Sequence, residues 1–281
     1  MQHHGYLSIL VLLCIGLTVS NVSAGNNDRP GLTLIEKDML CVCRYFNNTE
    51  VGDKDDFCSS IGFTQRWEPL FPGRVELGIG VGGLRALVFR SKTQTSVVAI
   101  GFREFLHDKV DFFIDDDWFQ SIAMFGSEVL PKEYEGTLAH VLAGFMYYFR
   151  LYLGFDYHKH ASSFVDEILA HGKAQRDPIF TGQGFGGSIA TLQALRKDQS
   201  SGVTFGAHGV GKLADSYGYP NQTRRVTNLV LSTQSLIGVQ ATRQCTFETP
   251  QPFLLSGEMN AVKSPMGFSQ IKTARTCSDP S

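Results

Sequence analysis

A glycine-rich turn between a strand and a helix is the feature that most constrains how this 281-residue chain can fold. Residues 179–192 read Ile-Phe-Thr-Gly-Gln-Gly-Phe-Gly-Gly-Ser-Ile-Ala-Thr-Leu. The pattern predicts a short strand at Ile179–Thr181, a tight turn, and a helix over Gly187–Lys197. Glycine tolerates backbone angles that other residues avoid, so the chain can turn sharply here.

Hydrophobic periodicity in the flanking segments predicts an α/β fold. Apolar, β-branched runs indicate strands, and apolar residues at helical spacing indicate helices. The further strands predicted in this way are Arg85–Arg90, Ser96–Phe102, Trp118–Met124, Val203–Ala207 and Arg225–Leu231, and the further helices are Tyr134–Tyr152 and Ser162–Lys173. Strands that alternate with helices imply a mainly parallel sheet with helices on both faces. No periodicity supports an element after Ser232.

The first 24 residues have the pattern of a signal peptide. The apolar run Leu7–Val19 precedes Val22-Ser23-Ala24, a small-residue cleavage pattern. A membrane anchor is the alternative, although the run is shorter than the ~20 residues that span a bilayer. No later stretch is long enough either, so we expect a secreted protein with no transmembrane segment after signal cleavage. Residues 25–75 are predicted to be a cysteine-containing N-terminal extension, and residues 76–281 the main domain.

Secretion would permit disulfide bonds and glycosylation. The mature chain would hold five cysteines, namely Cys41, Cys43, Cys58, Cys245 and Cys277. Two bridges and one free thiol are the simplest outcome, with Cys58 paired to Cys41 or Cys43 and with Cys245 paired to Cys277. A zinc site formed by the first three is the alternative. Asn47 and Asn221 each begin an N-glycosylation triplet.

The glycine turn has the spacing of a nucleophile elbow, G-x-S-x-G, in which a strained turn presents the attacking serine. Its outer glycines correspond to Gly182 and Gly186, but the central position is Gly184. A glycine has no side chain that can attack a carbonyl carbon and form an acyl-enzyme. The sequence therefore predicts the scaffold of a serine hydrolase without its nucleophile.

Five segments, in order, resemble motifs of the fungal-type (class 3) lipases of the α/β-hydrolase fold. Their family patterns are a strand ending in F-R-G-T, then D-W-x-x-D, V-H-x-G-F, T-G-H-S-L-G-G and V-x-F-G-x-P-x-V-G. The corresponding segments of this chain are 97–103, 111–115, 141–145, 181–187 and 203–211. The resemblance covers about residues 97–211 and implies an α/β-hydrolase-like fold for the main domain.

The polar residues that such lipases use are replaced, whereas the glycines and apolar positions match. Gln183 and Gly184 stand for the family's His-Ser, and Leu142 stands for the His of V-H-x-G-F. Gln234 occupies the approximate place of the catalytic acid. The catalytic His is expected near the C-terminus, yet the last histidine of the chain is His208. The resemblance thus implies that nucleophile, acid and base are all absent from their expected places.

A degenerate cleft is still expected at the elbow. By analogy with the family, the backbone N–H groups of Phe105 and Phe185 would form an oxyanion-hole-like pair. Further cleft candidates are Gln183, Gly184, Phe185, Leu142 and His208. Ser188, one turn into the helix, is expected to serve packing or capping. Catalytic residues are expected to be absent.

Other motifs carry weaker hypotheses. Gly78–Gly83 fits G-x-G-x-x-G but precedes a strand instead of a helix, which argues against a dinucleotide site. Asp115–Asp117 lacks the remainder of a calcium loop, and His158-x-His160 has no evident third ligand. We therefore predict no metal and no cofactor. The aromatic segment Phe145–Phe155 is expected to be a core helix, with a lipid-binding face as the alternative.

The sequence-based hypothesis is a secreted class 3 lipase-like pseudoenzyme that binds a ligand or a partner. The ligand would be an acyl lipid, another small apolar molecule or a protein. The alternative is an active lipase or carboxylic ester hydrolase of lipid metabolism with a relocated catalytic set, and a purely structural role is the third reading. A net charge of −2 without a basic stretch argues against nucleic acid as a partner.

Overall fold

A computed structural model describes residues 31–46, 56–72, 75–77, 84–103, 126, 136–152, 156–170, 177–219, 225–231, 242–247 and 275–279. Seven helices and nine strands lie in these ranges. The helices are α1 (Leu34–Tyr45), α2 (Asp56–Ser60), α3 (Phe63–Arg66), α4 (Leu138–Tyr152), α5 (Tyr157–Ala170), α6 (Gly184–Arg196) and α7 (Gly211–Ser216). The strands are β1 (Trp67–Pro69), β2 (Val75–Leu77), β3 (Leu84–Ser91), β4 (Val97–Arg103), β5 (Asp177–Gln183), β6 (Ser201–Phe205), β7 (Val226–Leu231), β8 (Arg243–Phe247) and β9 (Arg275–Ser278).

All nine strands form one mixed sheet in the order β1-β3-β4-β5-β6-β7-β8-β9, with β2 also paired to β3. The strands from β4 to β8 are parallel, and those at the two margins are antiparallel. The fold is therefore α/β-hydrolase-like, as predicted. The elbow strand β5 lies in the middle of the sheet, between β4 and β6, where both of its faces are covered.

Two apolar clusters occupy the two faces of the sheet. In β3, Ala86 and Val88 belong to the cluster that includes α5 and α6, whereas Leu87 and Phe89 belong to the cluster built on α1. Alternate residues of a strand point to opposite faces, so this division follows from the pleat. The almost continuous apolar sequence of the central strands reflects burial on both faces.

Helix α1 covers one face and was not predicted from periodicity. Thr33 caps it with a full capping box, in which Thr33 N donates to Glu36 Oε2 over 2.7 Å. A partly buried ion pair joins Glu36 to Arg275 of β9, with 2.5 Å between Oε1 and Nη1. The N-terminal helix is thus linked to the last strand of the sheet.

Element boundaries differ from the sequence-based ones in informative ways. The predicted domain boundary at residues 75/76 falls inside β2, and β1 also pairs within the sheet. Strand β5 begins at Asp177-Pro178, two residues before its predicted start at Ile179. Two strands, β8 and β9, lie after Ser232, where the sequence gave no periodicity. The predicted signal peptide and the strand Trp118–Met124 lie outside the described residues.

Candidate active-site elbow

The turn at Gly184 has the backbone of a nucleophile elbow. Strand β5 ends at Gln183 in extended conformation, and helix α6 begins at the next residue. Gly184 has a φ angle of +52°, in the left-handed region that L-residues with a side chain rarely adopt. The turn therefore survives with its unusual conformation, and glycine occupies it without steric cost.

Three further glycines allow the close packing that this turn requires. A Cβ atom on Gly186 would lie 2.3 Å from the carbonyl oxygen of Phe102 in β4. A Cβ on Gly182 would lie 2.5 Å from the backbone of Gly186, and one on Gly187 would lie 2.8 Å from Cβ of Ala207. Side chains at these positions would drive α6 away from the sheet. The glycines that match the lipase motif are thus required by packing, whatever the chemistry.

The first hydroxyl group after the elbow in the sequence is held by main-chain atoms. Ser188 is fully buried, and its Oγ lies 3.0 Å from the carbonyl oxygen of His208 and 3.4 Å from that of Gly184. Its single proton is shared between two backbone acceptors. This arrangement ties α6 to the segment after β6 and gives Ser188 a structural role.

Asn228 of β7 positions the loop that follows β6. Its Nδ2 donates to Ala207 O over 2.8 Å, and its Oδ1 accepts from Ala207 N over 3.0 Å. Thr204 Oγ1 donates to the same Oδ1 over 3.2 Å. The loop turns at Gly206, with a φ angle of +60°. His208, predicted as a cleft residue, lies buried in this loop beside the elbow.

The remaining predicted site residues differ in how far they are buried. Phe185 is buried, and its ring packs edge-on against Tyr157 with 5.9 Å between the centroids. Gln183 is partly buried at the turn. Leu142 lies on the exposed side of α4, with 52% of its surface accessible. Phe105 and Gln234 lie outside the described residues, so their roles remain predictions.

Among the described side chains of helix α4 the large apolar ones are exposed, which corrects the expectation of a core helix for the part of Phe145–Phe155 that the structure describes. Phe145, Tyr148 and Tyr152 are 66%, 71% and 86% exposed. The apolar pattern was read correctly as helical, but among the described side chains of α4 it is the small Ala143 that joins the buried core. Periodicity identifies an apolar face without saying which way that face points.

The cysteines form two disulfide bonds, as predicted. Cys41 pairs with Cys58, and Cys245 pairs with Cys277. Cys43 is the free thiol, and burial raises its pKa to about 12, despite a hydrogen bond with Thr181 that lowers it. A thiol with such a pKa stays protonated at neutral pH and is a poor nucleophile. Within the described ranges no group of three or more His, Cys, Asp or Glu could hold a metal ion.

Histidine 158, singled out as a possible metal ligand, bonds to side chains instead. Its Nε2 lies 2.7 Å from Tyr219 Oη, and its Nδ1 lies 3.2 Å from Gln193 Nε2. Both ring nitrogens are therefore engaged. The predicted glycosylation sites Asn47 and Asn221 lie outside the described residues. Of the helices the structure describes, none has the length and apolarity needed to cross a bilayer.

Comparison with known proteins finds similarity at the level of three-dimensional structure. No protein-family model matches the sequence, and no curated protein sequence matches it. Lipase II from Rhizopus niveus is 15% identical, with a TM-score of 0.40 over 77% of this chain and 82% of that chain. The triacylglyceride lipase of Rhizomucor miehei is 13% identical, with a TM-score of 0.42 over 78% and 83%.

A third solved structure is a triacylglycerol lipase whose catalytic centre is formed by a serine protease triad. It is 13% identical, with a TM-score of 0.43 over 87% of this chain and 98% of that chain. The similarity concerns the fold, and the chemistry of the site follows from this chain's own residues. The chain is thus similar in structure to fungal lipases, the family that its motifs resemble.

Proposed function

We propose that this protein is a secreted pseudoenzyme with a lipase-like fold, which binds a ligand or partner at the elbow and does not hydrolyse esters. The observation that carries the proposal is Gly184, which has the left-handed backbone of a nucleophile position and no side chain. Acyl transfer by this fold needs a hydroxyl, an imidazole to take its proton and a carboxylate to orient the imidazole.

The neighbouring groups support the loss of catalysis. Ser188 Oγ bonds to the backbone carbonyl of His208 and not to its ring. β7, after which the catalytic acid would follow, ends in the apolar residue Leu231. The chain has no histidine after His208. Removing members of a catalytic triad costs on the order of 10⁴–10⁶ in rate, so catalysis by what remains would be negligible.

The backbone of the elbow supports a binding role. An N–H group at the start of α6 can donate to a carbonyl or carboxylate oxygen, and the helix dipole favours negative charge there. The residue after Gly184, Phe185, has a buried apolar side chain, and Val210 belongs to the same apolar cluster. An acyl lipid combines the two properties, since it has an oxygen-rich end and an apolar chain. Another small apolar ligand or a protein partner would use the same features.

An extracellular location is supported by the disulfide bonds of Cys41–Cys58 and Cys245–Cys277, which persist in oxidising compartments. The predicted signal peptide at residues 1–24 and the glycosylation triplets at Asn47 and Asn221 agree with it. Mass spectrometry of the protein from the culture medium would report cleavage after Ala24 and glycans on the two asparagines. An intact N-terminus in a cell-associated protein would contradict secretion.

Hydrolysis of a short-chain p-nitrophenyl ester tests the loss of catalysis. We expect no turnover above a buffer blank and no labelling by a fluorophosphonate, which reacts with activated serines. Inhibitable turnover with a labelled serine would refute the pseudoenzyme and favour the relocated catalytic set. The labelled peptide would then identify the nucleophile.

Titration with a fluorescent dodecanoyl probe tests the binding role. We expect saturable binding that is lost in Gly184→Leu, which places an apolar side chain at the elbow. Gly62→Leu is the matched control, because Gly62 also has a positive φ angle, +68°, but lies in the turn before α3. Binding that survives both substitutions, or that both abolish equally, would contradict a site at the elbow.

A further inference from the structure

A polar cluster lies where α5, α6 and the segment after α7 meet. His158 is the second residue of α5. Gln193 and Arg196 lie near the end of α6, and Tyr217 and Tyr219 follow α7. The imidazole of His158 stacks on Tyr217, with 4.6 Å between ring centroids and 24° between ring planes. Its Nε2 lies 2.7 Å from Tyr219 Oη. His158 therefore contacts two tyrosines of a segment about 60 residues away in sequence. Local sequence patterns do not predict contacts between residues so far apart in the chain.

Arg196 fixes the orientation of the amide of Gln193. Arg196 Nε donates to Gln193 Oε1 over 3.0 Å, while its two terminal nitrogens each lie 3.0 Å from an oxygen of Asp166. A guanidinium only donates hydrogen bonds, so the group of Gln193 that faces it must be the carbonyl oxygen. The amide nitrogen of Gln193 is thereby turned toward His158 and Ser162.

The orientation of that amide determines the protonation state of His158. Gln193 Nε2 has two hydrogens, one directed to Ser162 Oγ at 3.1 Å and the other to His158 Nδ1 at 3.2 Å. Nδ1 must therefore accept, which requires a neutral ring with its proton on Nε2. Nε2–H then donates to Tyr219 Oη. A chain of four groups, from Arg196 through Gln193 and His158 to Tyr219, has one consistent set of donors and acceptors.

We propose that this chain is an acid-sensitive latch, which holds Tyr217–Tyr219 against α5 while His158 is neutral and releases it when Nδ1 gains a proton. Protonation turns the acceptor into a donor that faces the amide hydrogens of Gln193. The amide cannot rotate to present its oxygen without breaking the hydrogen bond from Arg196. Opening the segment gives the imidazolium access to water and removes the conflict.

The segment that would be released lies next to the elbow in the fold. The loop after β6 carries His208 and leads through Val210 directly into α7, and Tyr217–Tyr219 come at the end of that helix. Ser188 ties the same loop to the first turn of α6. Release of the latch would thus loosen one wall of the region around Gly184. The latch is independent of the proposed function, because it rests on groups outside the elbow.

The charges around His158 determine the direction and the range of the pH effect. Burial lowers the pKa of His158 to about 4, with Arg196 of α6 acting in the same direction and Asp156, just before α5, acting against them. Burial raises the pKa of Tyr219, from the segment after α7, above its usual value of about 10, so this phenol is neutral at these pH values. The docked state therefore binds fewer protons than the released state, whose histidine titrates near 6.5.

The sign of the pH effect on docking follows from this difference in proton binding. Docking is fully stabilised above pH 6.5 and weakens as the pH falls from 6.5 to about 4, because protons accumulate on the released state first. The opening equilibrium rises about tenfold per pH unit within that range, which amounts to about 20-fold between pH 7 and pH 5.

Hydrogen exchange with mass spectrometry on the full-length protein measures this equilibrium. The opening of the peptide that contains residues 211–219 is compared at pH 7 and pH 5, after division by the intrinsic exchange rate at each pH. We expect an increase of about 20-fold. His158→Phe keeps an aromatic ring against Tyr217 but cannot titrate, so its opening should be equal at the two pH values. His160→Gln, which removes another histidine of α5, should behave as wild type.

The Gln193→Glu variant should reverse the direction of the pH effect. A carboxylate can accept from Arg196 and from a protonated His158, so acid should tighten the segment in this variant instead of releasing it. Equal opening of the wild type at pH 7 and pH 5 would overturn the proposal. So would a Gln193→Glu variant that opens in acid as the wild type does, since the amide hydrogens would then not be the cause.

Discussion

Substitution of Gly184 by serine returns a hydroxyl to the elbow and tests whether anything else of a hydrolase remains. At a φ angle of +52° a residue with a side chain costs roughly 1–2 kcal/mol relative to glycine. A serine also restricts the backbone of the unfolded chain more than glycine does, which stabilises the folded state by about 0.4–1 kcal/mol. We therefore expect Gly184→Ser to lower stability by about 1 kcal/mol, which is about 2–4 °C in Tm for a chain of this size.

Under the proposed function, catalysis in that variant is limited by the lack of a base and an acid at the elbow. A serine without them is expected to remain at least ~10⁴-fold below an intact triad. Gly184→Ala is the matched control, because it carries the same backbone strain without a hydroxyl. The two variants should melt at the same temperature and hydrolyse a p-nitrophenyl ester equally slowly. Ester turnover in Gly184→Ser within ~10²-fold of a typical enzyme, and absent in Gly184→Ala, would refute this reasoning and reveal a functional base near the elbow.

Three further predictions concern the packing around the site. Gly186→Ala should lower the free energy of unfolding by at least ~3 kcal/mol or prevent folding, because its Cβ would lie 2.3 Å from a backbone oxygen. Gly144→Ala, at an open position of α4, should instead raise the free energy of unfolding by ~0.5–1 kcal/mol. Chemical denaturation measures both values. Asn228→Leu should cost ~2–4 kcal/mol, since it removes three hydrogen bonds that hold the loop after β6, and that loop should exchange its amide hydrogens faster. Phe180→Ala should cost ~3–5 kcal/mol and Phe145→Ala less than ~0.5 kcal/mol, because the first ring is fully buried and the second is 66% exposed; similar values for both would mean that the outer face of α4 is covered.

The central fold was predictable because local signals and burial agree there. Each strand from β3 to β7 was predicted to within a few residues, since the apolar runs of strands buried on both faces are unambiguous. The start of α6 was placed at Gly187 instead of Gly184, because a glycine in the first turn of a helix looks like part of a loop. The elbow in fact passes from strand to helix without an intervening residue.

Elements at the periphery were missed for two different reasons. Helix α1 carried a usable signal, because Thr33-x-x-Glu36 is a capping-box pattern that precedes an apolar run. The strands β8 and β9 carried almost none, since each is short and depends on partners distant in sequence. The disulfide between Cys245 and Cys277 joins residues that are directly opposite in the ladder, so that pairing was the one sequence clue to β9.

The environment of His158 could not be predicted, because its partners come from two parts of the chain that are distant from it in sequence. Gln193 is 35 residues away and Tyr219 is 61 residues away. The sequence offered His158-x-His160 as a metal-binding pattern, and that pattern places two histidines on different sides of a helix. Only the tertiary arrangement gives the first of them an amide and a phenol as partners.

The elbow separates two kinds of constraint that an intact hydrolase imposes on the same residues. Gly182, Gly186 and Gly187 are required because any Cβ atom would collide with neighbouring atoms, and the sheet cannot keep α6 in place without them. The residue at position 184 is constrained by its positive φ angle, and glycine satisfies that constraint better than serine. A change from serine to glycine there would remove the chemistry and relieve strain in one step. The fold can therefore remain stable after such a change removes catalysis. For this reason, matching glycines and apolar positions identify the architecture but say nothing about activity.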